Sequence, residues 1–386
     1  MKISLVLVYL TVLISFFDNL ALLPLVSPFA VYLGASSLMA AIAVSTYSLA
    51  NFTGNLISGY FIDSIGRKFT LSLGLLIAGF SVFSYTIARS GEQLVIVRFI
   101  HGLGGALLVP TAFTLIADAA PGENTSAAMG KAGALIGVSA LIGPPAASII
   151  RDAAGFDSVF FFLSSLFALA LLLVIIFMPV DTTVGNKPRR RNFSSFREVF
   201  IALLKNGKLQ TACAGGFSLM WAQGALAFLL PLYIEGLGHP SSMVGTLFGT
   251  FALFAIMSML LFKKVFNKVG RCDLKSLFGI GLCLSLIPLF ESLPVLFGIL
   301  AAYGVFFGIT FVHTTDSAAT AVGYDRRGTA FSIYYACFSL GVVFGPILSG
   351  LVISHQANLW GFWVGGAFVL IMTLASCFTK GIQSPH

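Results

Sequence analysis

Gly59-Tyr60-Phe61-Ile62-Asp63-Ser64-Ile65-Gly66-Arg67-Lys68-Phe69-Thr70 is a short polar break between two apolar runs, 38–60 and 70–89. Each run is long enough to cross a bilayer as a helix, which takes about 20 residues. A break this short holds no domain, so it reads as a tight hairpin at a membrane surface. Gly66 frees the backbone to turn, and Arg67 and Lys68 hold the hairpin on the cytoplasmic side. Asp63 stands about one helical turn before the two bases, so a helix end, a carboxylate and a cationic pair share one corner.

The alternation continues outward in both directions. The 386 residues are 58% hydrophobic and 9% charged, with a mean hydropathy of +0.97. Soluble domains carry about 25% charged residues, so the expected class is an all-α polytopic membrane protein. Twelve transmembrane helices are read, at 4–26, 38–60, 70–89, 93–118, 126–150, 156–179, 208–234, 241–264, 274–290, 294–319, 328–353 and 359–379. The first run, after Lys2, is read as a span that stays and not as a leader, being too long for a signal h-region. With a cytoplasmic N-terminus, all of the 22 bases except Arg89, Arg98 and Arg151 fall on inside segments. Both termini are therefore expected in the cytoplasm, with the chain multi-pass in the cell membrane. The net charge of +8 is orientation information, and no nucleic-acid partner is expected. Cys213, Cys272, Cys283, Cys337 and Cys377 show neither disulfide nor metal spacing, so no metal is expected.

The longest polar segment, Asp181 to Lys208, carries Lys187-Pro188-Arg189-Arg190-Arg191 and divides the chain into bundles at 1–179 and 208–386, joined by a cytoplasmic linker at 180–207. Phe193, Phe196, Val199, Phe200 and Leu203 recur at helical spacing, which fits a short surface helix or a solvated linker with scattered aromatics. The halves echo one another. Leu22-Leu23-Pro24 before Leu33-Gly34 returns as Leu229-Leu230-Pro231 before Leu237-Gly238; Gly66-Arg67 returns as Gly270-Arg271; Gly143-Pro144 returns as Gly345-Pro346. Two pseudo-symmetric six-helix bundles in one chain is an architecture of secondary transporters, in which the halves rock about a central site.

The hairpin spacing G-x-x-x-D-x-x-G-R-K, beginning at Gly59, resembles the loop between helices 2 and 3 of the major facilitator superfamily, with Ser64 where that family often has a base. Leu94, Arg98, His101, Gly102, Gly104 and Gly105 resemble its helix-4 motif, with His101 in place of the usual glutamine. Gly130, Gly133, Gly137, Ser139, Gly143 and Pro144 resemble the helix-5 motif of its antiporters, with Ala147 and Ser148 replacing the final glycines. The resemblance covers the whole chain and is narrowest to the twelve-span drug:proton antiporters. It implies a cytoplasmic latch in which Gly59, Asp63, Gly66, Arg67, Lys68 and Asp118 close the inner face in one state. A surface salt bridge of little energetic value reads the same residues. The glycines of Gly102–Gly105 and of Gly137, Gly143 and Pro144 serve close helix packing equally well.

Three groups are candidates for proton coupling: Asp18, Arg98 and His313. Asp18 lies about 12 Å from the outer end of span one, and Arg98 enters span four from that side to similar depth, so the two are expected to meet. An intramembrane charge costs at least a few kcal/mol, which makes each a functional candidate. The alternatives are a snorkelling Arg98 and a hydrogen-bonded Asp18–Asn19 pair. His313 and Asp316 lie deep along span ten, where solvated interfacial residues are the plainer reading. Asn19, Tyr47, Asn51, Trp221, Gln223, Tyr303 and Tyr334 are candidate substrate contacts, Tyr47, Asn51 and Asn55 forming one polar stripe. The 38 phenylalanines suit a lipophilic substrate or contact with lipid. No phosphate loop, zinc spacing or nucleophile elbow is present, so neither cofactor nor enzymatic activity is expected. The expected function is proton-coupled export of lipophilic or amphipathic small molecules by a monomer, whose partners are that substrate, protons and the bilayer. Alternatives are a proton-coupled uptake symporter for a polar metabolite, a lipid or lysolipid flippase, and a non-transporting receptor or scaffold.

Overall fold

The structure, a computed structural model, describes residues 2–119, 124–179, 205–261, 272–321, 327–353 and 359–382. Every regular element among them is a helix. Apolar sequence dictates this, since in lipid a helix satisfies its own backbone hydrogen bonds without a partner strand. In chain order they are α1 (Lys2–Ala21), α2 (Val26–Tyr32), α3 (Ser37–Ser64), α4 (Arg67–Ser84), a 3-10 turn Tyr85–Ile87, α5 (Gly91–Ala119) and α6 (Asn124–Phe177). There follow α7 (Gly207–Gly236), α8 (Ser241–Leu261), α9 (Cys272–Leu286), a 3-10 turn Ile287–Leu289, α10 (Leu293–Thr320), α11 (Arg327–Val352) and α12 (Leu359–Ile382). Seven of the described helices are long and apolar enough to cross a membrane, or eight if the bent pair α1–α2 is one span. The chain is a polytopic membrane protein. The stretch 193–203, read as a surface helix or a solvated linker, lies outside the described residues.

Breaks in the helices have local causes. Gly66 adopts φ 100° immediately before α4, the turn expected of it at the hairpin. Gly155, at φ 81° and ψ 176°, interrupts α6 and makes two helices of one run. Span one was expected to run straight to residue 26, but the chain bends by 52° between α1 and α2. Pro24 lacks an N–H and its ring crowds the carbonyl four residues back, which ends the α-helical ladder there. Leu23 N–H bonds instead to Leu20 O at 3.2 Å, a tighter turn.

Contacts divide the chain into two compact units, Met1–Pro188 with Ile234–Gly249, and Arg189–Tyr233 with Thr250–His386. In the first, α3 and α4 pack on α5 and α1 packs on α6; in the second, α9 packs on α10 and α12. The sequence echoes return as equivalent backbone. Gly34 (φ 78°) closes α2, with Ala35 N–H on Ala30 O at 3.0 Å; Gly238 (φ 83°) closes α7, with His239 N–H on Ile234 O at 3.2 Å. Both are the left-handed glycine cap that satisfies a helix's last carbonyls. Gly143 lets α6 approach α1, where an added Cβ would lie 3.2 Å from Phe17 O and Ala21 N. Gly345 does the same for α11 on α7, against Trp221 O and Ala225 N.

Candidate functional site

The interior of the first unit holds a polar cluster built from four elements. Asp18 comes from α1, Arg98 and His101 from one face of α5, Tyr47 from α3, and Tyr85 from the 3-10 turn after α4. Asp18 and His101 are each 1% exposed and Arg98 is 5% exposed. Such groups are expensive to bury unless their hydrogen bonds are met. Most are met here. His101 Nε2 lies 2.9 Å from Asp18 Oδ2, and His101 Nδ1 lies 2.8 Å from the Tyr85 hydroxyl. The edge of His101 meets the Tyr47 ring at 5.0 Å between centroids. Arg98 donates from Nε to Ala43 O at 3.2 Å and from Nη2 to Val44 O at 3.5 Å, with its guanidinium 4.8 Å from the Tyr47 ring centre. Among the described residues, Asp18 Oδ1 and Arg98 Nη1 have no hydrogen-bond partner.

Asp18 was expected to pair with Arg98. Its partner is instead His101, three residues further along the same face of α5. That step moves about 4.5 Å along the axis, which brings His101, not Arg98, level with Asp18. Arg98 is held one turn away by the carbonyls of α3 and the face of Tyr47. Glycines make the approach possible. An added Cβ at Gly102 would collide with Tyr47 O, and one at Gly105 would lie 2.5 Å from the Tyr47 hydroxyl and 3.1 Å from Asn51 Nδ2. Asn51 also accepts a bond from Asn55 at 2.9 Å; of the three stripe residues Tyr47 is buried, Asn51 half-buried and Asn55 exposed. Asn19 is half-buried beside Asp18 in sequence. On α6, Ser139 donates to Leu13 O at 3.2 Å and Gly143 lies against Phe17 and Ala21 of α1, whereas the Pro144 carbonyl faces Gly245; Gly137 lies on the same helix.

The second unit repeats the framework without the charges. Gly143 meets Phe17 O and Ala21 N as Gly345 meets Trp221 O and Ala225 N, and at the resulting offsets of 204 and 202 residues Gly102 against Tyr47 becomes Gly304 against Phe251, whose carbonyl oxygen an added Cβ would meet. The same offsets turn Asp18 into Ala222, Arg98 into Leu300 and His101 into Tyr303. Tyr303 meets Phe251 edge-on at 5.6 Å, as His101 meets Tyr47. Its buried hydroxyl has no partner among the described residues; nor do Trp221 Nε1, Gln223 Oε1 or His313 Nδ1. Trp221 stacks on Phe368 at 3.9 Å. Tyr334 differs, since its hydroxyl lies 2.9 Å from Thr314 Oγ1 and its ring fills the space beside Gly216. His313 is half-buried on α10 and Asp316 is exposed.

The latch residues are only partly described. The surroundings of Gly59 and the side chains of Asp63 and Asp118 lie outside what is described, although α3 and α5 carry these residues. Lys68 donates to Ile175 O at 2.9 Å and to Met178 O, both at the C-terminal end of α6. A lysine there satisfies orphan carbonyls and the negative end of the helix dipole. The sequence reading missed a second cluster, near the break in α6. Arg151 clasps Glu235 with both terminal nitrogens, the Nη2–Oε2 contact being 2.9 Å, and lies over the Phe156 ring at 4.2 Å. Asp152 accepts the Ser241 N–H at 3.0 Å and the Ser242 N–H at 2.6 Å, capping the start of α8. No spacing rule connects residues 84 positions apart, so the pair leaves no signal in the sequence.

Comparison with known proteins adds a family. The sequence matches the family model described as Major Facilitator Superfamily over residues 8–324 and 274–385. An uncharacterised MFS-type transporter of Methanocaldococcus jannaschii is 24% identical over 88% of this chain and 89% of its own length. Multidrug resistance protein 1 of Bacillus subtilis is 23% identical over 82% of this chain and 80% of its own. Among solved structures, a point mutant of the nucleoside transporter NupG superposes with a TM-score of 0.79 at 13% identity, covering 97% of this chain and 98% of that one. At that identity the likeness shows the fold alone.

Proposed function

This chain belongs to the Major Facilitator Superfamily and is a membrane transporter, not an enzyme, and from that premise we propose that it exports lipophilic or amphipathic small molecules in exchange for protons. The observation that carries the reading is Asp18, buried at 1% exposure with a histidine partner in one half and replaced by Ala222 at the matching place in the other. A carboxylate hidden from water and able to take a proton is a natural coupling group. The second half holds buried aromatic side chains in its place, with single polar atoms of Trp221, Gln223 and Tyr303 left without a partner among the described residues and so available to a substrate once the interior opens. Lipophilic ligands are held by sites of this composition. Within the first half Asn19, Tyr47 and Asn51 are the candidate contacts, while within the second Tyr334 already has its partner in Thr314. The relative named as a multidrug resistance protein supports drug-like small molecules as the cargo.

In this reading the spans number twelve, counting α1–α2 as one and the two parts of α6 separately, in bundles 1–179 and 208–386 around a linker at 180–207. The termini face the cytoplasm of a cell membrane and the working unit is a monomer. His313 is a second proton-accepting candidate on α10. Asp63, Arg67 and Asp118 latch the cytoplasmic mouth, with Gly59 and Gly66 shaping the hairpin and Lys68 fastening it to α6. Arg151, Glu235 and Asp152 form a corresponding latch at the far side. Arg151→Ala or Glu235→Gln is expected to slow turnover several-fold, because a contact made in one state and lost in the other sets their balance. The exchange Arg151→Glu with Glu235→Arg is expected to recover most of the rate. Equal turnover in all four proteins would leave the pair as a surface contact.

The experiment that tests the function is counterflow in proteoliposomes, with ethidium, tetraphenylphosphonium, a sugar and an organic anion as probes. Exchange of the two lipophilic cations supports the reading. Exchange of the sugar alone makes the protein a polar-metabolite carrier, and no exchange of any probe contradicts the proposal.

A further inference from the structure

Asp18, His101 and Tyr85 form a chain of hydrogen bonds whose direction is constrained by what each atom can give. A tyrosine hydroxyl has one proton, a neutral imidazole one N–H, and a carboxylate none. With distances of 2.8 Å at Nδ1 and 2.9 Å at Nε2, one arrangement satisfies all three when His101 is neutral and Asp18 ionised. The Tyr85 hydroxyl donates to Nδ1, and Nε2–H donates to Asp18 Oδ2. Tyr85 thereby fixes the tautomer of His101, as a second partner does for any imidazole. The loaded cluster fits the same heavy atoms. When Asp18 takes a proton, the new O–H sits on Oδ1, the oxygen without a partner, and the bond to Nε2–H loses its charge assistance.

The geometry points to His101 as a positioning residue that sets the pH at which Asp18 takes up the transported proton, acting through Nε2–H with Tyr85 holding the tautomer. This rests on the reading of Asp18 as the proton carrier. The charged and titratable groups facing His101 are Asp18 from α1, Tyr47 from α3, Tyr85 from the turn after α4, and Arg98 from its own helix; α6 lays the ring of Phe160 against Tyr85. Arg98 supplies a positive charge from the same helix. Among these groups only His101 bonds directly to the carboxylate, so its donor is the one that discriminates between the charged and neutral acid.

The test is infrared pH-difference spectroscopy on the purified, reconstituted full-length protein, with no substrate present. The carbonyl band of the protonated carboxyl is assigned to Asp18 by its loss in Asp18→Asn. His101→Leu removes the donor and is expected to move the midpoint of that band upward by about one pH unit or more, the worth of a charge-assisted hydrogen bond. His101→Gln keeps an N–H donor and does not titrate, so its midpoint stays near that of the native protein, and it serves as the folding control. Tyr85→Phe releases the tautomer and gives a smaller upward shift. An unmoved midpoint in His101→Leu overturns the inference. Where His101→Leu does not fold, an unmoved midpoint in Tyr85→Phe overturns it. A different failure, no band lost in Asp18→Asn, removes Asp18 as the proton carrier and takes the role of His101 with it.

Discussion

Asp18→Asn is expected to abolish pH-driven accumulation of substrate while leaving counterflow intact. Asparagine has nearly the same shape as aspartate and keeps a carbonyl oxygen to accept the His101 Nε2–H, which lies 2.9 Å away in the native protein. The buried cluster therefore keeps its packing around Arg98 and Tyr47. What it loses is a group that can take and release a proton. Substrate then still exchanges across the membrane, because alternation needs no acid, but a pH gradient has nothing to act on. The accumulation ratio in proteoliposomes should fall to that of protein-free vesicles, with thermal unfolding in detergent near that of the native protein. Native accumulation in the variant would assign coupling to another group, with His313 the next candidate.

Much of the frame behind this expectation is legible in sequence. The hairpin at Gly66 and the glycine caps at Gly34 and Gly238 follow from local chemistry, since only glycine takes positive φ cheaply. The depth of Asp18 is legible too, because helical rise fixes distance along one span. What is not legible is which residue of another span stands level with it. Arg98 and His101 share one face of α5, and a shift of one turn between α1 and α5 exchanges them. That register is set by Gly102 and Gly105 against α3 and by Gly143 against α1, contacts that no single span contains. The Leu-Leu-Pro-Leu echo shows a further limit. Pro24 ends α1, whereas Pro231 lies inside an unbroken α7, and nothing within the motif distinguishes the two.

Gly102→Ala carries the second large effect. The added Cβ would collide with Tyr47 O and lie 2.8 Å from the Ala50 Cβ. Backbone oxygen has no rotamer to escape into, so α3 must move away from α5. Overpacking of this kind costs about 1–3 kcal/mol, and the movement also carries Tyr47 away from Arg98 and His101. A marked loss of folded yield or thermal stability is expected, with weakened transport by whatever folds. Gly133→Ala is the control: it also replaces a helical glycine, but nothing lies within 4 Å of the new Cβ. Helix propensity alone makes that change neutral or mildly stabilising. Equal thermal stability of the two variants would mean that the close contact of α3 with α5 does not hold the site together.

The central claim is that a proton gradient drives lipophilic substrate through this protein. The most direct measurement is accumulation of tetraphenylphosphonium in proteoliposomes with an acidic lumen. A permanent cation is not trapped by acidity, so protein-free vesicles give the background. The account predicts accumulation above equilibrium that appears with the pH gradient, collapses when the gradient is dissipated, and is absent in Asp18→Asn. Accumulation indifferent to the gradient, or none above background, would contradict it.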